Sequence, residues 1–184
     1  MIEAAVLVEG VSDQRALEAL AARRGRHLAA EGVSIVPIGG AQAIGRSLRL
    51  LGPAGRGLRL AGLCDAGEER DFRRGLERAG LGRNLTCTDM EAMGFFVCEA
   101  DLEDELIRAL GATTVERIVE AHGDLRAFRT LQRQDAWRHR PLEEQLRRFL
   151  GSGGRRKIRY ASFLVDALEL ARVPRPLDRA LAHV

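Results

Sequence analysis

Four short apolar runs, Ala4–Val8, Val33–Ile38, Leu58–Cys64 and Gly94–Cys98, are too brief for buried helices and read as buried strands. Stretches with apolar residues at helical spacing separate them. After the first run, Ser12 is placed to cap a helix that carries Ala16, Leu17, Leu20 and Ala21 on one face and ends near Gly25. A second helix begins around Ala41, carries Ile44, Leu48 and Leu51, and stops before Gly52-Pro53. A third covers about Glu68–Ala79 and a fourth about Leu102–Leu110. The alternation β-α-β-α-β-α-β-α predicts an α/β fold: a mainly parallel four-stranded sheet, right-handed crossovers, and helices on both faces. Sites in such folds gather beyond the carboxyl ends of the strands.

From about Thr113 the pattern turns helical and basic. Pro141 starts one helix, Pro141–Leu150; a Gly151-Ser152-Gly153-Gly154 break follows, then a helix near Ala161–Ala171 and a short terminal helix punctuated by Pro174–Pro176. The chain thus divides into an α/β part, residues 1–112, and a helical C-terminal extension, residues 113–184.

Composition narrows the class. The 184 residues are 46% hydrophobic and 30% charged, which excludes disordered, collagen-like and coiled-coil chains. No apolar run approaches the roughly 18 residues of a membrane span, and the N-terminus lacks the basic start of a signal peptide, so no membrane partner and a cytoplasmic location are expected. Three cysteines without CxxC spacing and four scattered histidines give no support to a disulfide framework or a zinc site. The net charge of +3 hides an asymmetry, because residues 121–184 hold 14 Lys+Arg against 7 Asp+Glu while residues 1–120 hold 15 against 19. An acidic site on the first part and a basic surface on the second, suited to a polyanion, are the expectation.

Acids follow three of the four strands at once: Glu9 and Asp13 after the first, Asp65, Glu68 and Glu69 after the third, Glu99, Asp101 and Glu103 after the fourth. Parallel strands deliver all three groups to one rim. Crowded carboxylates repel unless cations neutralise them, and hard oxygen donors select Mg²⁺ or Mn²⁺. Capping explains Asp13, Glu68, Glu69 and Asp101 equally well one at a time, since acids favour the first turn of any helix. Glu9 and Asp65, each abutting a strand, resist that explanation.

Among 29 Lys+Arg residues Lys157 is the one lysine. A compact ammonium approaches a single oxygen as a point charge, which the planar guanidinium does not. Its neighbours Arg155, Arg156 and Arg159 suit contact with a nucleic-acid backbone. Trp137 and Phe128, also among arginines, read as core.

The strings Leu7-Val8-Glu9-Gly10-Val11-Ser12-Asp13, Leu63-Cys64-Asp65-Ala66-Gly67-Glu68-Glu69 and Asp101-Leu102-Glu103, with Lys157 beyond them, resemble a Toprim domain. The likeness is to the Toprim half of the OLD (overcoming lysogenisation defect) nucleases. It implies a Toprim catalytic domain over residues 1–112, completed by Lys157 from residues 113–184. It further implies metal-binding roles for Glu9, Asp13, Asp65, Asp101 and Glu103, and a Lys157 that stabilises charge on the scissile phosphate or leaving group, with Glu9 and Lys157 as the catalytic pair. The implied activity is cleavage or nicking of DNA with one or two Mg²⁺ or Mn²⁺ ions, about 3.5–4 Å apart where two are used. Gly67 departs from the usual Asp-x-Asp, so either Glu68, Glu69 or Asp71 supplies the second acid or one metal is held less tightly. OLD proteins carry an ATPase domain ahead of the Toprim half, and this chain starts at the first Toprim strand; a separate ATPase and a second copy in a homodimer are the protein partners to consider.

Three rival readings stand beside this one. A Toprim ribonuclease would use the same acids on RNA, and a regulatory module would bind metal and nucleic acid without turnover. Gly40-Ala41-Gln42-Ala43-Ile44-Gly45-Arg46-Ser47 approximates a phosphate-binding loop of a nucleoside triphosphatase, but with Arg46 where that motif needs lysine.

Overall fold

A computed structural model describes residues 1–184. In chain order the elements are β1 (Ala4–Val8), α1 (Val11–Arg23), β2 (Val33–Pro37), α2 (Ile44–Leu51), β3 (Arg59–Cys64), α3 (Glu69–Arg78), α4 (Cys87–Ala92), β4 (Phe95–Val97), α5 (Leu102–Leu110), α6 (Ala112–Ala121), α7 (Leu125–Gln132), α8 (Leu142–Gly151), α9 (Gly154–Ala167) and α10 (Arg175–Ala182). All four strands are parallel, in the order β2-β1-β3-β4. The expected α/β architecture with a helical C-terminal extension is therefore present. No helix is long and apolar enough to cross a membrane.

Strand β1 is buried along its whole length, as a central parallel strand covered on both faces must be. Its side chains alternate: Val6 and Val8 join one core, Ala5 and Leu7 the other. The first core, of 28 buried residues, takes Leu17 and Leu20 of α1, Leu106 of α5, and Leu146, Phe149, Leu164 and Leu181 from the C-terminal helices. The second, of 12, is closed by Ile44, Leu48, Phe72, Leu76 and Met90. The larger core thus joins the basic helices to the sheet, and each Leu- or Phe-sized side chain buried there contributes ~1.5–3 kcal/mol. On the smaller face α2 and α3 approach closely: a Cβ at Gly75 would lie 2.5 Å from Ile44 Cγ2.

Three local expectations are corrected. Helix α1 starts at Val11 with Gly10 as its cap, and Ser12 lies buried inside the first turn. Helix α4, between α3 and β4, was not expected; Thr86 and Asp89 cap it reciprocally, with Thr86 Oγ1 accepting from the Asp89 N–H at 3.2 Å. The helix expected near Ala161 begins already at Gly154, because Arg155-Arg156-Lys157-Ile158 are good helix formers and need no further break after Gly153. Lys157 accordingly stands on the first turns of a helix, not on a flexible loop.

Candidate metal centre at the strand ends

The strand order reverses between β1 and β3: from β1 the chain moves outward to β2, and from β3 outward to β4. A crevice opens beyond the carboxyl ends of strands that part in this way. The register pairs Val8 with Leu63, so Glu9 leaves β1 level with Cys64 and Asp65 follows one residue beyond. Glu9 Oε1 accepts the Asp65 backbone N–H at 2.9 Å. On its other flank Glu9 is fixed through its carbonyl, which accepts from Gly39 N at 3.2 Å and Gly40 N at 3.0 Å. That turn needs glycine, with φ of 80° at Gly39 and 109° at Gly40.

Asp13 reaches the same rim from the first turn of α1, where its Oδ2 accepts the Gly10 N–H at 2.9 Å. Glu103 comes from α5 and meets Lys157 of α9, Nζ to Oε2 3.3 Å. Asp13 and Glu103 are buried, Glu9 and Asp65 half-buried. Lys157 is held in place because α9 packs along α1.

The electrostatics tie these five residues together. Burial pushes Asp65 up to about 8, with repulsion from Glu9 and Asp13 adding to it and Lys157 opposing. Burial also raises Glu9, against the help of the Asp65 N–H, and Asp13 and Glu68 raise it further. Asp13 is raised by burial despite its Gly10 hydrogen bond, and Glu103 by burial despite Lys157. Lys157 moves upward: burial disfavours its charge, but Glu103, Asp13 and Asp65 outweigh that. All four carboxylates feel the Lys157 ammonium. The negative charge at this rim exceeds what one ammonium balances.

The other candidate residues fall differently. Glu68 is half-buried and near enough to repel Glu9. Glu69 faces Arg73 at 3.6 Å. Asp101 caps α5, its Oδ1 accepting from Asp104 N at 2.8 Å, and its Oδ2 pairs with Arg147 Nε at 2.7 Å. It therefore meets the capping alternative, while its charge still reaches Asp13, Asp65 and Glu103. Of the three arginines beside Lys157, Arg155 is exposed. Arg156 bonds Phe149 O, Ser152 O and Ser152 Oγ and lies 4.1 Å over the Phe149 ring. Arg159 pairs with Asp124, which also accepts from the Tyr160 hydroxyl at 2.9 Å. Two of the three thus brace the fold. Sequence reasoning missed Arg147, since nothing along the chain links a basic residue on α8 to an acid before α5.

As they stand, no three Asp, Glu, His or Cys side chains close on a common point as metal ligands. The donor set nevertheless fits a hard divalent cation. It is entirely carboxylate, crowded enough to shift its own protonation, and fed by one amine; the three cysteines are free, with burial pushing the Cys64 and Cys98 thiols upward and out of use as soft ligands. The approximate phosphate loop is otherwise engaged: the Gly39 and Gly40 N–H groups serve the Glu9 carbonyl, and Ser47 Oγ donates to Ala43 O at 3.2 Å.

A parallel 2-1-3-4 sheet with acids at its switch point is a Toprim-type fold. The comparisons agree: residues 2–66 match the family model of the overcoming lysogenization defect protein-like TOPRIM domain. The C-terminal region of the Burkholderia pseudomallei OLD protein superposes with a TM-score of 0.75 at 21% identity, over 98% of this chain and 95% of that one. The C-terminal region of the Xanthomonas campestris pv. campestris OLD protein gives 0.72 at 24% identity, over 100% and 92%. No curated protein matches in sequence. The Toprim half of the OLD family is thus what this chain resembles, in sequence over its first strands and in fold throughout.

Proposed function

We propose that this chain is a magnesium- or manganese-dependent nuclease that nicks or cleaves DNA. The observation that carries the reading is the set Glu9, Asp13, Asp65 and Glu103 at the sheet's switch point, under-neutralised by the single Lys157. These four would hold the ion or ions, with Glu68 taking the place left by Gly67 and Asp101 contributing charge from the edge. When bound, a divalent cation supplies Lewis-acid activation of water and neutralises charge on the phosphate.

The chain's own groups do the rest. Glu9, anchored at Oε1 by the Asp65 N–H, is oriented to accept a proton from the attacking water. Asp13 and Asp65 are fixed by a helix N-terminus and a strand end, so the donor set is built on rigid elements. Lys157 rests against Glu103 when nothing else neutralises the rim; with the carboxylates balanced, its ammonium turns to the scissile phosphate or the leaving oxygen. The basic helices behind Lys157 suit backbone contact, which makes binding fall steeply with salt.

Supercoiled-plasmid nicking with Mg²⁺ or Mn²⁺ tests the proposal, comparing the parent chain with Asp65→Asn, Glu9→Gln and Lys157→Ala. Loss in all three supports it. Metal binding by calorimetry with no cleavage of plasmid, oligodeoxynucleotide or RNA would make the chain a binding module instead, and cleavage of RNA alone would change the substrate.

A further inference from the structure

Trp137 was expected in the core, and the structure corrects this: Phe128 is fully buried, whereas Trp137 is only half-buried and belongs to neither hydrophobic cluster. The indole lines a concavity shared with Asp101, Glu144, Arg147, Arg148 and Gly151. A large apolar side chain left outside the core is informative when its backbone is held firmly. The carbonyls of Trp137 and Arg140 accept from one amide, Gln145 Nε2, at 2.8 and 2.9 Å. Gln145 is buried, and its Oε1 accepts from Gln132 Nε2 at 2.7 Å. Burying an amide is favourable only when it is fully bonded, so the loop that presents Trp137 occupies a defined place.

Two arginines of the C-terminal helices stand over aromatic rings in contrasting company. The Arg148 guanidinium lies 5.9 Å from the indole centroid and enters no ion pair or hydrogen bond, whereas Arg156 sits 4.1 Å over Phe149 and is bonded three times. The first arrangement is loose and unsatisfied, the second closed. Arg147 connects the concavity to the acidic rim through Asp101 at 2.7 Å.

We propose that Trp137, with Arg147 and Arg148, forms a stacking subsite for one unpaired base flanking the cleaved phosphate. The indole takes the face of the base, Arg148 covers it or meets its phosphate, and Arg147 sets its distance from the carboxylates. With aromatics at only 4% of the chain, a single platform of this kind selects for one exposed base and not for a long single strand. The subsite rests on the nuclease reading for its substrate class, but its test does not depend on cleavage.

Trp137 is the only tryptophan, so its emission reports on this place alone. A short single-stranded oligodeoxynucleotide is titrated in EDTA while emission and the anisotropy of a 3′ label are followed together. Binding is expected to quench the emission, and in a series of oligonucleotides with one abasic position moved along the strand, one position relieves the quench. Trp137→Ala is expected to weaken binding roughly tenfold and Trp137→Phe to keep most of it. Anisotropy that reports binding without quenching, a quench indifferent to every abasic position, binding as tight in Trp137→Ala as in the parent, or no binding at all overturns the subsite. Asp65-dependent nicking without the quench removes the subsite and leaves the nuclease; the quench without nicking does the reverse.

Discussion

Two sets of carboxylates share the rim at the carboxyl end of the sheet, and they are treated in opposite ways. Every member of the outer set is paired with an arginine. Arg108 reaches Glu99 at 3.0 Å, Asp104 at 2.8 Å and Glu105 at 2.9 Å, and Glu105 also accepts the Glu99 N–H at 2.8 Å. Arg147 pairs with Asp101. The inner set, Glu9, Asp13, Asp65 and Glu103, is raised throughout by burial and shares one lysine. A chain with many arginines that spares this place from them leaves its charge to be met by something that comes and goes. On the proposed function, the difference separates acids that build the end of the sheet from acids that would take up a cation.

The sharpest way to break that distinction is Asp65→Asn. Because Asp65 is raised to about 8 by burial and by repulsion from Glu9 and Asp13, the metal-free fold already favours its neutral form, so a neutral amide removes a ligand without costing stability. Nicking is expected to fall at least about a hundredfold, while the metal-free chain melts no lower than the parent. A variant that loses both activity and stability would place Asp65 with the outer, structural set.

Next in size is Lys157→Ala. It leaves the buried Glu103 without its ammonium and the other three acids without their shared cation. Metal-free stability is expected to drop by about 1–3 kcal/mol, read from urea midpoints at pH 7, with nicking lost as well. Saturating Mg²⁺ should restore most of the stability and none of the activity. Lowering the pH until Glu103 takes up a proton should restore stability without metal, because it removes the same uncompensated charge.

The pH dependence of the metal-free parent follows from Asp65, whose ordinary value of 3.8 is raised to about 8 in the fold. Between those limits the folded chain keeps a proton that the unfolded chain has released, so raising the pH favours unfolding. The melting temperature in EDTA should therefore fall from pH 5 to pH 8, at roughly 2–4 °C per kcal/mol lost. Asp65→Asn should flatten the curve, and so should Mg²⁺, which replaces the proton. A parent whose melting temperature climbs over that interval would contradict the upward shift and remove the reason for treating the inner set separately.

Much of this was legible along the chain, for reasons that differ by element. The four strands and α1, α2, α3 and α5 declare themselves through apolar period and through the glycines and prolines at their ends. Glu9 and Asp65 could be paired from sequence because parallel crossovers place every strand end at one rim. Helix α4 carried a readable signal, Thr86 followed three residues later by Asp89, that its short apolar content obscured. What could not be read was contact between distant stretches: the packing of α9 on α1 that delivers Lys157, the Arg147–Asp101 pair, and the half-buried place of Trp137 outside both cores. The linear split into an acidic front and a basic back likewise dissolves in three dimensions, where the back supplies the one cation of the front's site.

The smallest expected effect sharpens the comparison from the outer side. Arg108→Ala removes three ion pairs at once, yet the guanidinium is 41% exposed and Glu99 75%, so solvent already screens much of their attraction. Glu105 is the exception, buried and bonded to Arg108 through Oε2, but its Oε1 keeps the Glu99 N–H when the arginine is gone. The cost should be about 1 kcal/mol, seen as a drop of roughly 2–4 °C in melting temperature, smaller still in high salt. Nicking and the stabilisation by Mg²⁺ should stay within about twofold of the parent, since none of the inner carboxylates loses a partner. If Arg108→Ala abolished nicking as Asp65→Asn is expected to do, the two sets would be a single electrostatic unit, and the assignment of cation binding to the inner one would lose its basis.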